Sequence, residues 1–282
     1  MTTFTLNGEP LRNLAQRIST SEGLQTAAPL VGDNVPVAGM DGAHNPYELG
    51  QQRRPDGEGR FVVAMSMKGV DPDTGEWEPG TTLQTYLDNC DDVIRRWYSR
   101  ALVIDALRPD GTVRRIRGHL VPDESLDFTR ERSSPAFGTY VASVAIPSGR
   151  WSDIEPVTTG VQSLTSGLNV DLSAFAAATA VCTDLEVWFG PGSNPRLDKT
   201  DGFFAHNQVI SAGREYRAFT RTGVIDDADG DEWAPAYTAL EFSPGPRYFE
   251  IDPGQPLAAT LTHTGGGSMD VEISGPRHYR TA

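Results

Sequence analysis

The sequence predicts a mainly β protein of the α+β class, with two domains. Only one stretch of the 282-residue chain shows sustained helical periodicity. The chain also contains 29 glycines and 20 prolines, which suits a turn-rich β protein better than a helical one. Short alternating segments bounded by turn residues recur along the whole length, as expected for strands. We therefore predict an N-terminal β-rich domain with one long helix, over residues 1–157, and a C-terminal β-sandwich, over residues 158–282.

The one long helix is predicted after Thr81. Its apolar residues follow the i, i+3, i+4, i+7 spacing of a single helical face: Leu83, Tyr86, Leu87, Cys90, Ile94, Trp97 and Tyr98. Thr81 and Gln84 have the spacing of a capping box, which marks a helix start. Two acid–base pairs with a favourable four-residue spacing lie on the outer face: Asp91 with Arg95 and Asp92 with Arg96.

The rest of the first domain is predicted to consist of strands and one long loop. The predicted strands are residues 2–8 with a tight turn at Asn7-Gly8, Arg60–Gly69, Leu102–Leu107, Val113–Val121, Ser125–Arg130 and Tyr140–Pro147. Arg108–Gly111 reads as the turn between the third and fourth of these. Residues 9–29 show weak helical periodicity. Residues 31–52 are rich in glycine, proline, asparagine and aspartate, which indicates an ordered loop or an extended arm.

A polar stretch at Thr158–Ser166 reads as the linker to the second domain. The strands predicted beyond it are Leu185–Phe189, stopped by residues 190–195, then Arg214–Thr220, Arg247–Ile251 and a final hairpin. That hairpin would pair Leu257–His263 with Met269–Ser274 across Gly265–Gly267. Strands at this spacing predict a β-sandwich.

Charge and hydropathy exclude several classes of function. The net charge is −14, and a division at residue 155 leaves −6 in the first part and −8 in the second. Two acidic halves argue against stable binding to nucleic acid. No apolar run approaches the roughly 20 residues of a membrane span, so we expect no membrane insertion. Cys90 and Cys182 are predicted to be buried and unbridged.

The strongest metal-like stretch is acidic and covers residues 226–232. Oxygen ligands from Asp227, Asp229 and Asp231 would suit calcium. No register of the stretch gives a complete EF-hand loop, so an acidic solvated loop between strands is the favoured interpretation. The five histidines show no zinc-site spacing. We predict no cofactor.

No catalytic motif stands out, so the sequence predicts a protein that is not an enzyme. A Gly-x-Ser-x-Gly elbow is absent, and chance pairs of carboxylates leave a polysaccharide hydrolase only as a third option. Trp233 and Tyr237 are candidates for stacking on sugar rings, whereas Trp188 is assigned to the core. One basic patch consists of Arg114, Arg115 and Arg117. It offers either a phosphate or nucleic-acid role, or else the polar face of a strand or an intersubunit ion pair.

The order and spacing of these elements resemble the distal tail protein family of long-tailed, non-contractile bacteriophages, as found in phages of actinobacteria. In the first half the resemblance rests on Phe4–Gly8, the Pro36…Gly39…Gly42 loop, Arg60–Gly69, Leu83–Tyr98, Arg117-Gly118 and Ile146-Pro147…Trp151. In the second half it rests on Val187–Pro191, Asn194-Pro195 and Ile251…Pro253-Gly254. It covers nearly the whole chain.

The resemblance implies a structural virion protein, assembled in the host cytoplasm. Six copies would form a ring at the distal end of the tail tube, with a channel that lets DNA pass. The sandwich would be galectin-like and project outward. The implied partners are the tail tube protein, the tail-tip hub or tail-associated protein, the tape measure protein and receptor-binding proteins. The alternative is a carbohydrate-binding module that recognises polysaccharide on the host surface.

Overall fold

The computed structural model describes most of the chain. The described residues are 3–10, 16–22, 35–36, 43–44, 59–68, 79–98, 101–121, 127–130, 137–199, 202–220, 224–229, 232–235, 240–242 and 249–281. The chain divides into two compact units: unit 1 is Met1–Ser152 with Arg280–Ala282, and unit 2 is Asp153–Tyr279. The chain thus passes between the units twice, whereas the prediction has a single boundary at 157/158.

Unit 1 is built on one antiparallel sheet. Its elements are β1 (Thr3–Leu6), β2 (Glu9–Pro10), β3 (Gln16–Glu22), β4 (Val35–Pro36), β5 (Ala43–His44), β6 (Gly59–Lys68), α1 (Leu83–Trp97), β7 (Leu102–Leu107), β8 (Val113–Leu120), β9 (Asp127–Arg130), β10 (Phe137–Ile146) and β11 (Trp151–Asp153). The main strand order is β2-β1-β7-β8-β10-β6-β3. The predicted mainly β class with one helix is confirmed.

Tight turns set the register of the first strands. Leu6 pairs with Glu9, and the two residues between them, Asn7 and Gly8, both have positive φ, at 51° and 88°. Positive φ at both positions is the type I′ geometry that hairpins favour. The Asn7 side chain also accepts a hydrogen bond from the backbone N–H of Val103, at 2.9 Å. The predicted turn at Asn7-Gly8 is confirmed.

Helix α1 follows the predicted pattern in its middle and departs from it at its ends. Tyr86, Cys90 and Trp97 are buried, but Leu83 is 44% exposed and Tyr98, beyond the last helical residue, is 57% exposed. Thr82, not Thr81, caps the helix, because its hydroxyl accepts the backbone N–H of Thr85 at 3.2 Å. The remaining predicted face residues are Leu87, which is half-buried, and Ile94, whose side chain lies outside the described residues.

Several segments of unit 1 differ from the sequence prediction or extend it. Residues 16–22 form a strand with a register shift against β6, although their periodicity is weakly helical. A strand at the sheet edge takes its pairing from the neighbouring backbone, which overrides a weak local preference. Of the glycine- and proline-rich residues 31–52, only β4 and β5 are described, and they pair with each other. The rest of that stretch lies outside the described residues.

Unit 2 contains two antiparallel sheets and a short strand, His278–Tyr279, that belongs to neither of them. Its strands are β12 (Val157–Thr158), β13 (Gln162–Thr165), β14 (Leu168–Asp171), β15 (Glu186–Phe189), β16 (Gly192–Lys199), β17 (Gly202–His206), β18 (Val209–Ile210), β19 (Arg214–Phe219), β20 (Val224–Asp229), β21 (Glu232–Pro235), β22 (Leu240–Phe242), β23 (Ala258–Thr264), β24 (Ser268–Gly275) and β25 (His278–Tyr279). A short 3₁₀ helix covers Ser173–Phe175.

One sheet has the order β12-β24-β15-β19-β20-β21, with β13 also on β24, and has seven strands. The other has the order β14-β23-β16-β17-β22, with β18 on β16, and has six. Apolar side chains of both sheets form one core, which includes Val187, Phe189, Leu197, Leu261 and Val271. Both cysteines are buried, as predicted, and they are not joined by a disulfide.

The predicted linker at 158–166 is wrong, because this segment supplies strands of the seven-stranded sheet. Gln162–Thr165 pairs with residues 268–271 of β24. Leu164 packs against the core, while its neighbours Ser163 and Thr165 are exposed. A segment that sends one apolar side chain to the core looks polar overall, and this made it resemble a linker.

The predicted final hairpin is also wrong. β23 and β24 do not pair with each other, because they belong to different sheets. The glycines between them, with φ of 115° at Gly265 and 99° at Gly267, carry the chain across the sandwich. β13 and β14 cross in the same way, with Gly167 at φ 91°. Two alternating segments joined by a glycine turn have the same sequence pattern whether they pair as a hairpin or lie in different sheets.

Two further boundaries in unit 2 need correction. Residues 190–195 were expected to stop a strand, but β16 already begins at Gly192 and carries a bulge between Ser193 and Arg196. Asn194, at φ 50°, supplies the left-handed residue of this bulge. Of the predicted strand Arg247–Ile251, only residues 249–251 are described, and there Ile251 forms an isolated bridge with Cys182.

Gly118 is required where β8 meets β10. A Cβ atom at this position would lie 2.5 Å from the backbone oxygen of Ala145 and 2.8 Å from a side-chain carbon of Val144. We therefore expect Gly118→Ala to force the two strands apart and to lower the free energy of unfolding by about 1–3 kcal/mol. Chemical denaturation would measure the loss. Gly266→Ala is the matched control, since nothing lies within 4 Å of its Cβ position.

Asp92 on α1 should contribute stability that depends on pH. It pairs with both Arg95 and Arg96, and the hydrogen bond from Arg95 is the largest cause that lowers its pKa below 3.8. A carboxylate with a depressed folded pKa stabilises above its unfolded pKa, and this contribution disappears as the pH falls through the folded value. We expect Asp92→Asn to lower the urea midpoint at pH 7, and this difference should be smaller at about pH 3.

The control for this pH dependence is Asp91→Asn. Asp91 is exposed on the same helix and has no ion pair among the described residues, so its replacement should leave the midpoint unchanged at both pH values. Equal effects of the two substitutions would show that the paired guanidinium groups are not the cause.

Candidate functional site

Two of the histidines, His206 and His278, are buried. His206 is 1% exposed and lies 3.2 Å from the carbonyl oxygen of Gln208 through its Nδ1 atom. His278 is 2% exposed, with its Nε2 atom 3.4 Å from a carboxylate oxygen of Asp184. Within the described residues, no group of three or more His, Cys, Asp or Glu side chains could hold a metal ion.

The acidic stretch that suggested calcium has a strand backbone over residues 226–229. Asp227 and Asp229 lie in β20, opposite Tyr216 and Arg214 of β19, so the interpretation of this part as a loop is wrong. A paired, extended backbone is not the tight loop that surrounds a calcium ion. The third candidate, Asp231, lies outside the described residues.

The two aromatic candidates for sugar binding remain predictions. The backbone of Trp233 belongs to β21, where it pairs with Ala228. Its side chain, and all of Tyr237, lie outside the described residues.

The basic patch on β8 is not a cluster of available cations. Arg115 lies opposite Asp105 of β7 and donates two hydrogen bonds to its carboxylate, of 2.7 and 2.9 Å. The hydrogen bond with Asp105 raises the pKa of Arg115. Arg114 donates to the backbone oxygen of Thr281 at 2.9 Å, which holds the C-terminal residues on unit 1. Arg117 is exposed. The contacts of Arg114 and Arg115 within the chain favour the polar face of a strand.

The two ends of unit 2 are joined by a small polar network. The backbone N–H of Asp153 donates to the carbonyl of Arg277 at 3.0 Å, and Arg277 Nε donates back to the Asp153 carboxylate at 2.6 Å. The Tyr279 hydroxyl donates to the same carboxylate at 3.2 Å. Burial lowers the pKa of Arg277, but the hydrogen bond with Asp153 and its charge outweigh this, and the pKa is raised. The N-terminal and C-terminal segments of unit 2 thus lie side by side.

Trp188 lies on the outer face of the seven-stranded sheet, so its assignment to the core is wrong. Its neighbours Val187 and Phe189 are buried, and alternation along β15 sends Trp188 to the opposite side, where it is half-buried. Its Nε1 donates to a carboxylate oxygen of Glu215 at 3.0 Å. The alternation was readable in the sequence, but an aromatic residue within an apolar run was taken for core.

Comparison with known proteins supplies a fold and not a family. No family model matches this chain, and no curated protein sequence matches it. In the described part of the chain, no helix has both the length and the apolar character that a membrane crossing needs.

One crystal structure with a similar fold is that of SPP1 Dit (gp 19.1), described as a paradigm of the hub adsorption apparatus in phages that infect Gram-positive bacteria. The similarity has a TM-score of 0.62 at 10% sequence identity and covers 98% of this chain and 99% of that chain.

The network at the ends of unit 2 should be important for stability. We expect Asp153→Ala to lower the free energy of unfolding by about 1.5–3 kcal/mol, because it leaves a partly buried Arg277 without its carboxylate. Urea denaturation would measure the effect. Asp198→Ala is the control, because the Arg196–Asp198 pair is more exposed and exposed pairs contribute about 0–1 kcal/mol. Equal losses in the two variants would contradict a special role for Asp153.

Proposed function

We propose that this chain is a structural protein of the tail tip of a long-tailed, non-contractile bacteriophage. The observation that carries the proposal is the extent of the similarity to SPP1 Dit, which covers 98% and 99% of the two chains. A shared β-sandwich alone would match only the second unit, whereas this similarity includes both. The order of motifs in the sequence independently favours the distal tail protein family.

In this proposal six copies form a ring at the distal end of the tail tube. Unit 1 would form the ring, and unit 2 would face outward. Ring closure requires heterologous contacts, in which one surface of a subunit binds a different surface of the next. The ring would connect the tail tube protein to the tail-tip hub protein and, beyond it, to the tape measure and receptor-binding proteins.

The charge of the chain supports a role around DNA that passes without binding. At −14, the chain would repel the phosphate backbone, which favours free movement of DNA through the channel. The described residues contain no candidate metal group, and His206 and His278 are buried. We therefore propose a role in assembly rather than catalysis.

The oligomeric state tests this proposal directly. Six copies of the 30.6 kDa chain have a mass of about 184 kDa, and closed cyclic symmetry is expected from such contacts. Mass photometry of the purified chain, alone and with its phage's tail tube protein, should reveal this species. Electron microscopy should then show a six-fold ring with a central channel. A monomer or dimer that forms no ring even with the tube protein would contradict the proposal.

A further inference from the structure

The outer face of the seven-stranded sheet has one aromatic ring, that of Trp188, among polar side chains. In β15, β19 and β24 every second side chain points away from the core, and the burial pattern alternates accordingly. The outward residues at the centre are Trp188, Glu215, Arg217, Asp270 and Glu272. Trp188 lies directly opposite Arg217 on one side and Glu272 on the other.

Gly190 lies beside the indole ring of Trp188. A Cβ atom at Gly190 would lie 3.4 Å from the Cη2 atom of Trp188 and 3.1 Å from the Cβ atom of Asp270. The indole therefore leans along its own strand over a position that has no side chain. Its Nε1 edge is held by the 3.0 Å hydrogen bond to Glu215. The Trp188 side chain is half-buried, so part of the ring remains exposed to solvent.

The groups around the ring can accept and donate hydrogen bonds. Glu215 and Asp270 lie on the two strands next to Gly190, one on each side. The N–H of Gly190 donates to the carbonyl of Asp270 at 3.0 Å. Glu272 accepts a hydrogen bond from the hydroxyl of Thr158. Carboxylates accept several hydrogen bonds at once, and Arg217 is a donor. These donors and acceptors around the apolar indole ring suit a ligand that has a flat C–H face and hydroxyl groups at its edge.

We propose that this face binds a neutral saccharide, whose ring stacks on Trp188 while its hydroxyls bond to Glu215, Asp270 and Glu272. Three carboxylates against one guanidinium make the rim negative, which disfavours uronic acids and phosphate-rich polymers. Binding at this face does not require the ring, because all of its residues lie in unit 2. It also differs from the earlier candidates Trp233 and Tyr237.

The test is a titration of the full chain labelled with 5-fluorotryptophan and followed by ¹⁹F NMR. The chain has five tryptophans, and the spectrum of Trp188→Phe assigns the resonance of Trp188. The probes are the methyl glycosides of glucose, galactose and N-acetylglucosamine, with glucuronate as the anionic counterpart. We expect a saturable shift of the Trp188 resonance with at least one neutral glycoside, at a Kd of about 1–10 mM. Glucuronate should bind at least about tenfold more weakly.

Variants distinguish this site from the rest of the chain. For the glycoside that binds, isothermal titration calorimetry should show at least about a tenfold loss of affinity for Trp188→Ala. Glu215→Gln keeps the shape of the acceptor and should weaken binding less. Trp233→Ala is the matched control and should leave the affinity unchanged.

Three results would overturn the proposal. The first is the absence of a saturable shift with every neutral glycoside while the labelled chain keeps its native spectrum. The second is affinity that survives Trp188→Ala but is lost in Trp233→Ala. The third is a shift at Trp188 caused only by tetramethylammonium or guanidinium, which would indicate a cation site instead. None of these results bears on ring assembly, so the two proposals fail separately.

Discussion

The organisation of unit 2 depends on one constraint, which is that two antiparallel sheets must bury alternate side chains in a single core. Val187, Phe189 and Val271 satisfy this constraint from the seven-stranded sheet, and Leu197 and Leu261 satisfy it from the six-stranded sheet. Every residue between them in these strands must then face outward. The position of Trp188 is thus a consequence of its buried neighbours, and so is the row of charged groups beside it. The burial of alternate residues in the core therefore determines which side chains the outer face can present to a ligand.

The sequence predicted those features that local chemistry determines. The type I′ turn at Asn7-Gly8 follows from two residues that tolerate positive φ, and the middle of α1 follows from apolar spacing. Long-range pairing was not readable in this way. The glycines at 265–267 are compatible with a hairpin and with a crossing between sheets, and only the partners of β23 and β24 decide between the two. The same limit applies to residues 16–22, whose strand is formed by pairing with β6.

The candidate site shows the same division between local and long-range information. The outward direction of Trp188 could have been read from the alternation of β15. Its contact with Glu215, 27 positions along the chain, and its position beside Gly190 depend on how three strands align. A search for exposed aromatic residues next to acidic ones selects Trp233 and Tyr237 by proximity in sequence. The fold instead places an aromatic residue and carboxylates together by register.

The way in which unit 2 joins the chain has a consequence for its evolution. The two ends of unit 2 lie together, where Asp153 and Arg277 are hydrogen-bonded to each other. The three residues that follow unit 2 in the chain belong to unit 1. A domain inserted in this manner behaves as a cassette. Recombination could replace it with any other domain whose termini are adjacent, without a change to the strand order of unit 1. A lineage with this architecture could therefore exchange unit 2 while it keeps the sheet of unit 1.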